Sequence, residues 1–204
     1  MKKGLIILGI IVLLLAGLVG KFIGIYNEII ELEIGERGVK TVWANVETQY
    51  QRRFDLVPQL VSTLEAQANF EKSTLKEVTE ARSRMGGSIK IDENMLNDEQ
   101  AMKKFQEVQA TLGGALQRLM AISENYPELK SNQGFSELRI QLEGTENRIA
   151  VARRDYNEVV GKYNAFIRKF PNSFVAGFAG ASPKVPFAAD AAASTAPKVD
   201  FNIK

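Results

Sequence analysis

Two residue types that this chain lacks set the chemistry open to it. Its 204 residues include no histidine and no cysteine, which removes the usual general base, the thiol nucleophile and most transition-metal ligand sets together. Two kinds of catalyst survive that loss: paired carboxylates, and serine activated by lysine. For the first, Glu65, Glu71, Glu143 and Glu146 fall on or near helical stripes and could converge as an acid–base pair or an all-oxygen metal site. The di-iron pattern of helix bundles also needs Glu-x-x-His motifs, which a chain without histidine cannot supply. The competing expectation is structural: these glutamates flank the core and pair with Arg82, Arg139, Arg148 or Arg153 on facing helices. For the second kind, no serine sits in a glycine-rich nucleophile turn, and Gly86-Gly87-Ser88-Ile89-Lys90 lacks the spacing of a phosphate-cradling loop. That segment reads as a connector, and no catalytic, cofactor or metal residue is assigned.

Binding is the remaining chemistry. In the segment from Trp43 to Asp55, Trp43 and Tyr50 offer large amphipathic area and Arg52 and Arg53 offer forked donors. With Phe178 and Phe187 from the end of the chain, these residues form a candidate interaction surface. The reading preferred for the segment itself is a helix junction, with Asp55 as cap and the arginines bridging to carboxylates on neighbouring helices, which could also serve as a binding surface. A balance of 26 basic against 24 acidic residues gives no excess to attract nucleic acid.

The elements that must position these residues are helical throughout. Ile25, Ile29, Leu32, Val39, Val42, Val46 and Tyr50 keep the spacing of a core-facing stripe, which predicts a first helix to about Arg53. Asp55 then caps a second helix with Pro58 in its first turn, on a stripe of Val57, Leu60, Val61, Leu64, Ala68, Leu75, Val78 and Met85 that Gly86-Gly87 stops. Asn97-Asp98-Glu99 opens a third helix, from Met102 to Tyr126, ended by Pro127. A fourth runs through Phe135, Leu138, Leu142, Ile149, Ala152, Tyr156, Val159, Tyr163, Phe166 and Phe170, skipping Thr145 and Glu146. Four long helices with one apolar stripe each predict an all-α, elongated antiparallel bundle. The segment 171–204 is rich in Ala, Pro, Gly and Ser and carries Phe174, Phe178, Phe187 and Phe201; it is either disordered or laid along another surface.

Ahead of the bundle, Gly4 to Gly20 carries no charge over roughly 17 residues, near the lower limit for a spanning helix. Lys21 can snorkel while Phe22, Ile23, Ile25 and Tyr26 extend the apolar surface. The rival is a secretory signal, but Leu15 to Gly20 offers no small-x-small pair in register. The expected organisation is an anchor over 1–25 that continues as one helix, with no linker, into a bundle over 26–170, followed by a tail over 171–204. Ala16, Gly20 and Gly24 form a ridge on which a second span could pack, although small residues are common in spanning helices and Lys21 adjoins the ridge. Lys2 and Lys3 before the span, and Glu28, Glu31, Glu33 and Glu36 after it, favour an extracytoplasmic body, although Lys21, Arg37 and Lys40 dilute the asymmetry.

The segment Trp43-Ala44-Asn45-Val46-Glu47, followed by Tyr50-Gln51-Arg52-Arg53-Phe54-Asp55-Leu56-Val57-Pro58-Gln59-Leu60-Val61, resembles the signature of the LemA family of bacterial membrane proteins. Glu80-Ala81-Arg82, Tyr126 to Asn132, Leu142-Glu143-Gly144-Thr145-Glu146-Asn147-Arg148-Ile149, Ala152 to Asn157, Phe170-Pro171 and Gly177-Phe178 continue the likeness over about 26–187. The resemblance implies a single-span protein of the bacterial inner or plasma membrane with a helical bundle body and no established enzymatic activity. It also admits an extracellular amino end, opposite to the charge-based placement.

The function expected is a non-catalytic, membrane-anchored scaffold that self-assembles or recruits envelope proteins, with the lipid bilayer and further copies of the chain as partners. The alternatives are a carboxylate-based metal or hydrolytic protein, and an effector released by signal cleavage.

Overall fold

The computed structural model describes residues 2–67, 70–86 and 93–188. Its helices are α1 (Lys2–Ile34), α2 (Val39–Glu65), α3 (Lys72–Met85), α4 (Glu99–Ser123), α5 (Pro127–Lys130), α6 (Gln133–Arg168) and α7 (Asn172–Ala179), with a 3₁₀ turn at Glu93–Asn97 before α4. No strand occurs among the described residues. As expected, the protein is an elongated antiparallel helical bundle whose N-terminal apolar helix runs on into the body. Trp43 of α2 meets Tyr156 of α6, and Arg53 meets Glu146, so the two helices run in opposite directions. Phe70 and Tyr126, with Glu77 and Arg118, fix the same relation between α3 and α4.

Helix α1 holds 33 residues, about 50 Å of continuous helix. Leu5 to Val19 project beyond the end of α6, and every large side chain in that stretch is exposed, Leu13 by 74 %. From Ile25 onward the same helix enters the bundle, where Ile29 is fully buried. Membrane-length rod and core element are one helix, with no linker between them.

The breaks between helices differ from the sequence expectation in two places. The first helix ends at Ile34 rather than Arg53, and the chain turns through Gly35 and Gly38. A Cβ at Gly38 would stand 2.7 Å from the Gly35 backbone nitrogen, so the tight return to α2 needs glycine there. Thr41 Oγ1 closes the turn by donating to the Gly35 carbonyl. Conversely, Asp55 caps nothing. Helix α2 runs through Asp55 and Pro58 to Glu65, because the carbonyl that Pro58 leaves without a donor, that of Phe54, accepts from Arg82 Nε of α3 at 3.4 Å. The Arg82 guanidinium also lies over the Phe54 ring at 3.9 Å. The expected second helix is instead split near Gln67–Phe70, where Phe70 turns inward; Ala68 lies outside the described residues.

The start of α4 is as the sequence predicts: Asp98 caps it by accepting from the Gln100 and Ala101 amides. Asn132, not singled out from the sequence, caps α6 by accepting from the Phe135 amide. Helix α6, 36 residues long, keeps the expected stripe as far as Tyr156. Val160 and Ile167 are then buried where Val159 and Phe166 were expected, since α1 and α7 both cover this end of α6. Thr145, expected to be skipped, is buried, and its hydroxyl donates back to the Gln141 carbonyl. Phe170 falls off the stripe and stands 88 % exposed, because α6 stops at Arg168.

The expected irregular tail is only partly so. Residues 172–179 form α7, and 181–188 lie along the bundle as a strap. Phe201, with the rest of 189–204, falls outside the described residues, as does Gly87 to Lys90 of the connector.

Candidate functional site

Arg53 stands at the centre of the bundle, 3 % exposed, and ties three helices together. Its Nη1 donates to both oxygens of Glu146 on α6, at 3.1 and 3.3 Å. Its Nη2 donates to the Gln109 carbonyl of α4 at 3.1 Å and to the Gln109 side-chain oxygen. The guanidinium rests over the Tyr50 ring at 5.0 Å. A planar fork with five donors suits this bridging, which the point charge of a lysine would not match. Beside the hub an open cleft of about 290 Å³ is lined by Gln106, Gln109, Gln117, Glu146 and Arg153. Gly113 faces it, and a Cβ there would come within 3.4 Å of Arg53 Nη1. The cleft can hydrogen-bond; its carboxylate, Glu146, is already engaged by Arg53.

Above the hub the strap is read by the edge of α6. Asn164 donates from Nδ2 to the Lys184 carbonyl and accepts from the Lys184 amide, both at 2.8 Å. Asn157 treats Phe187 in the same way, at 3.1 and 2.8 Å. Seven helical residues advance ~10.5 Å, and three residues of chain cover that distance only when nearly fully extended. The two asparagines therefore select an extended backbone running antiparallel to α6. Tyr156 Oη donates to the Val185 carbonyl, the Val185 amide to Leu96, and the Ala188 amide to Gln106. Pro183 and Pro186 sit where no amide is needed, a fit to proline-bearing chain.

The strap's side chains complete the core. Phe187 stacks on Trp43 at 5.7 Å and meets Tyr156 at 5.5 Å, while Phe105 joins Trp43 and Tyr50. Lys184 is buried and pairs with Glu33 of α1 at 2.8 Å, with its ammonium over Tyr163. Burial raises the Tyr163 phenol to about 12, with the Glu33 charge adding to the effect. Burial likewise raises Tyr156. Glu47 is raised by burial against the opposing hydrogen bond from Trp43.

The candidate surface residues therefore divide. Trp43, Tyr50, Arg53 and Phe187 are buried and come together, but as core, because the strap covers what would otherwise be an aromatic face. Arg52 and Phe178 are exposed on different elements. Of the four candidate carboxylates, Glu143 and Glu146 border one cleft, and no group of three or more Asp or Glu side chains placed to hold a metal occurs among the described residues. Glu146 pairs with Arg53, not with the arginines expected, and Glu143 pairs with Arg139 one turn away. Arg148 reaches Gln49 and Thr145, and Arg153 reaches the Ala188 carbonyl and the Phe187 ring. Sequence reasoning missed Asn157, Asn164, Gln109 and Lys184. A pair of asparagines two turns apart on one helix edge was the available signal for the first two.

The model of the LemA family matches residues 42–201, most of the chain. The chain belongs to the LemA family. Relatives include the magnetosome proteins MamQ 2 of Paramagnetospirillum magneticum, 30 % identical over 67 % of this chain and 56 % of the relative, and MamQ of Magnetospirillum gryphiswaldense, 31 % identical over the same shares. Protein LemA of Metamycoplasma hominis is 21 % identical over 76 % of this chain and 65 % of its own length. The chain thus spans little more than half the length of the magnetosome relatives. Within this LemA-family chain, one helix among the described residues, α1, is long and apolar enough to cross a membrane, consistent with a single-pass membrane protein.

Proposed function

We propose that this LemA-family protein is a non-catalytic membrane scaffold. Helix α1 anchors it in the bacterial inner membrane, and the bundle stands at the bilayer on the extracytoplasmic side. It works by self-assembly and by recruiting envelope proteins. The observation that carries this reading is the continuity of α1 from its exposed apolar length into the core at Ile29, because a body held without a linker has a fixed height and tilt over the bilayer. Fixed presentation suits lateral assembly better than reaching for a dissolved substrate. The ridge of Ala16, Gly20 and Gly24 lies on the projecting part of α1, where a Cβ at either glycine would meet nothing within 4 Å, and it is the face assigned to self-association.

Size-exclusion chromatography with light scattering on full-length protein in detergent tests this. The expected particle is a multiple of the 22.6 kDa chain, reduced by Gly20→Ile; a monomer at every concentration defeats the self-assembly reading. Stoichiometric metal by elemental analysis, or a tail protected from protease in spheroplasts, would overturn the non-metal and topological parts respectively.

A further inference from the structure

We propose that α7 lies in the surface of the phospholipid bilayer, with Phe174 and Phe178 inserted at the boundary between headgroups and acyl chains. This rests on the reading of α1 as a membrane span. Helix α7, Asn172-Ser173-Phe174-Val175-Ala176-Gly177-Phe178-Ala179, carries no charged residue, and its polar residues, Asn172 and Ser173, are confined to the first turn. Its inner side packs Val175 and Ala176 into the bundle core, while its outer side presents Phe174 at 64 % and Phe178 at 70 % exposure. A helix apolar on both sides needs an apolar medium on the second side as well.

Position identifies that medium. The Phe178 ring meets Phe22 of α1 edge-on at 6.0 Å, and Phe174 extends the series at 5.1 Å from Phe178. Phe22 follows the charge-free stretch by only two residues, an advance of ~3 Å along the helix. The aromatic face of α7 is thus continuous with the apolar surface of α1, at the level where the span would leave the hydrocarbon. Exposed cations border it in sequence: Arg168 and Lys169 stand four and three residues before the start of α7, and Lys21 adjoins Phe22. Cations beside inserted aromatics match the phosphate layer of a bilayer, whereas a second copy of this chain would have to bury them against one another.

The absence of cysteine allows single-site spin labelling of the full-length chain. Phe174→Cys, Phe178→Cys, Leu13→Cys and Lys76→Cys variants are each labelled with a nitroxide in nanodiscs of phosphatidylethanolamine and phosphatidylglycerol. Collision rates are then measured with oxygen, which concentrates in lipid, and with a nickel chelate, which stays in water. Unchanged Trp43 emission serves as the check on folding. Lys76, 77 % exposed on α3, reports water. Labels at 174 and 178 should favour oxygen over nickel, shallower than Leu13 and opposite to Lys76. Nickel access equal to that at Lys76 overturns the proposal. Low access to both reagents, the sign of a second protein copy covering the face, overturns it equally. If Leu13 itself is open to nickel, the membrane-span reading fails; if Leu13 is in lipid while 174 and 178 are not, only the placement of α7 fails.

Discussion

The half of the bundle near the exposed length of α1 and the half far from it share α2, α4 and α6, yet they are closed in different ways. The near half gathers Trp43, Tyr50, Phe105, Tyr156 and Phe187, and it is finished by a strap from the end of the chain. The far half is mainly aliphatic, with Leu60, Leu64, Leu75, Val78, Leu112, Leu116 and Leu119 interdigitating between α2, α3 and α4. Arg53 marks the boundary, with Tyr50 on one side and Val57 on the other. The difference teaches that one continuous bundle can hold a self-sufficient core and a core that depends on a segment remote in sequence.

The largest expected effect separates the two halves directly. Trp43→Ala should cost about 4 kcal/mol in urea unfolding and free the strap, so that protease cleaves between Gly180 and Ala188 in the otherwise folded protein. Leu112→Ala, fully buried in the far half, should cost about 3 kcal/mol and leave the strap protected. Equal protease sensitivity in the two variants would erase the distinction.

Arg53→Met probes the boundary. It should cost about 2 kcal/mol, less than the loss of a partner from a fully buried pair, because the Glu146 side chain is 40 % exposed and can recover water. If the halves communicate through Arg53, its cost and that of Asn157→Ala will fail to add in a double-mutant cycle.

A smaller effect belongs to the strap's backbone readers. Asn157→Ala and Asn164→Ala each remove two hydrogen bonds and should each cost about 1–2 kcal/mol. As Trp43 is the one tryptophan in the chain and stacks on Phe187, its emission should shift to the red in either variant. An unshifted spectrum would show that side-chain packing alone holds the strap.

The effect that is smallest at neutral pH appears only on the alkaline side. Tyr163 titrates ordinarily at 10 and is raised to about 12 in the folded protein. Above pH 10 the unfolded chain loses this proton while the folded chain keeps it, so stability present below pH 10 falls as pH rises towards 12. Tyr163→Phe should flatten that fall. At neutral pH it should be nearly neutral, since the hydroxyl is buried without a hydrogen-bond partner among the described residues.

Legibility followed the range of the interactions. The Asp98 cap, the stripe of α4 and the continuity of α1 into the core were readable because each is local in sequence. Pro58 misled, since its usual meaning as a helix start holds only when nothing else takes the Phe54 carbonyl, and Arg82 reaches it from another helix. Trp43, Tyr50 and Arg53 were correctly singled out as unusual. The bridge from Arg53 to a carboxylate on a neighbouring helix was readable as a helix junction. The burial of Trp43 and Tyr50 was not, because it takes Phe105, Tyr156 and Phe187, all far along the chain, to cover them.

The sequence by itself determined a chain with neither histidine nor cysteine, an apolar helix of membrane length, and amphipathic helices whose period leaves a bundle as the way to bury their stripes. Only the tertiary structure decided where those helices break, which cation sits at the centre and what becomes of the tail. Helical periodicity is written within a few residues and survives any partner. The fate of a carbonyl, an arginine or an exposed ring depends on which distant group arrives beside it, and burial makes that arrival worth its entropy only once the whole bundle has formed.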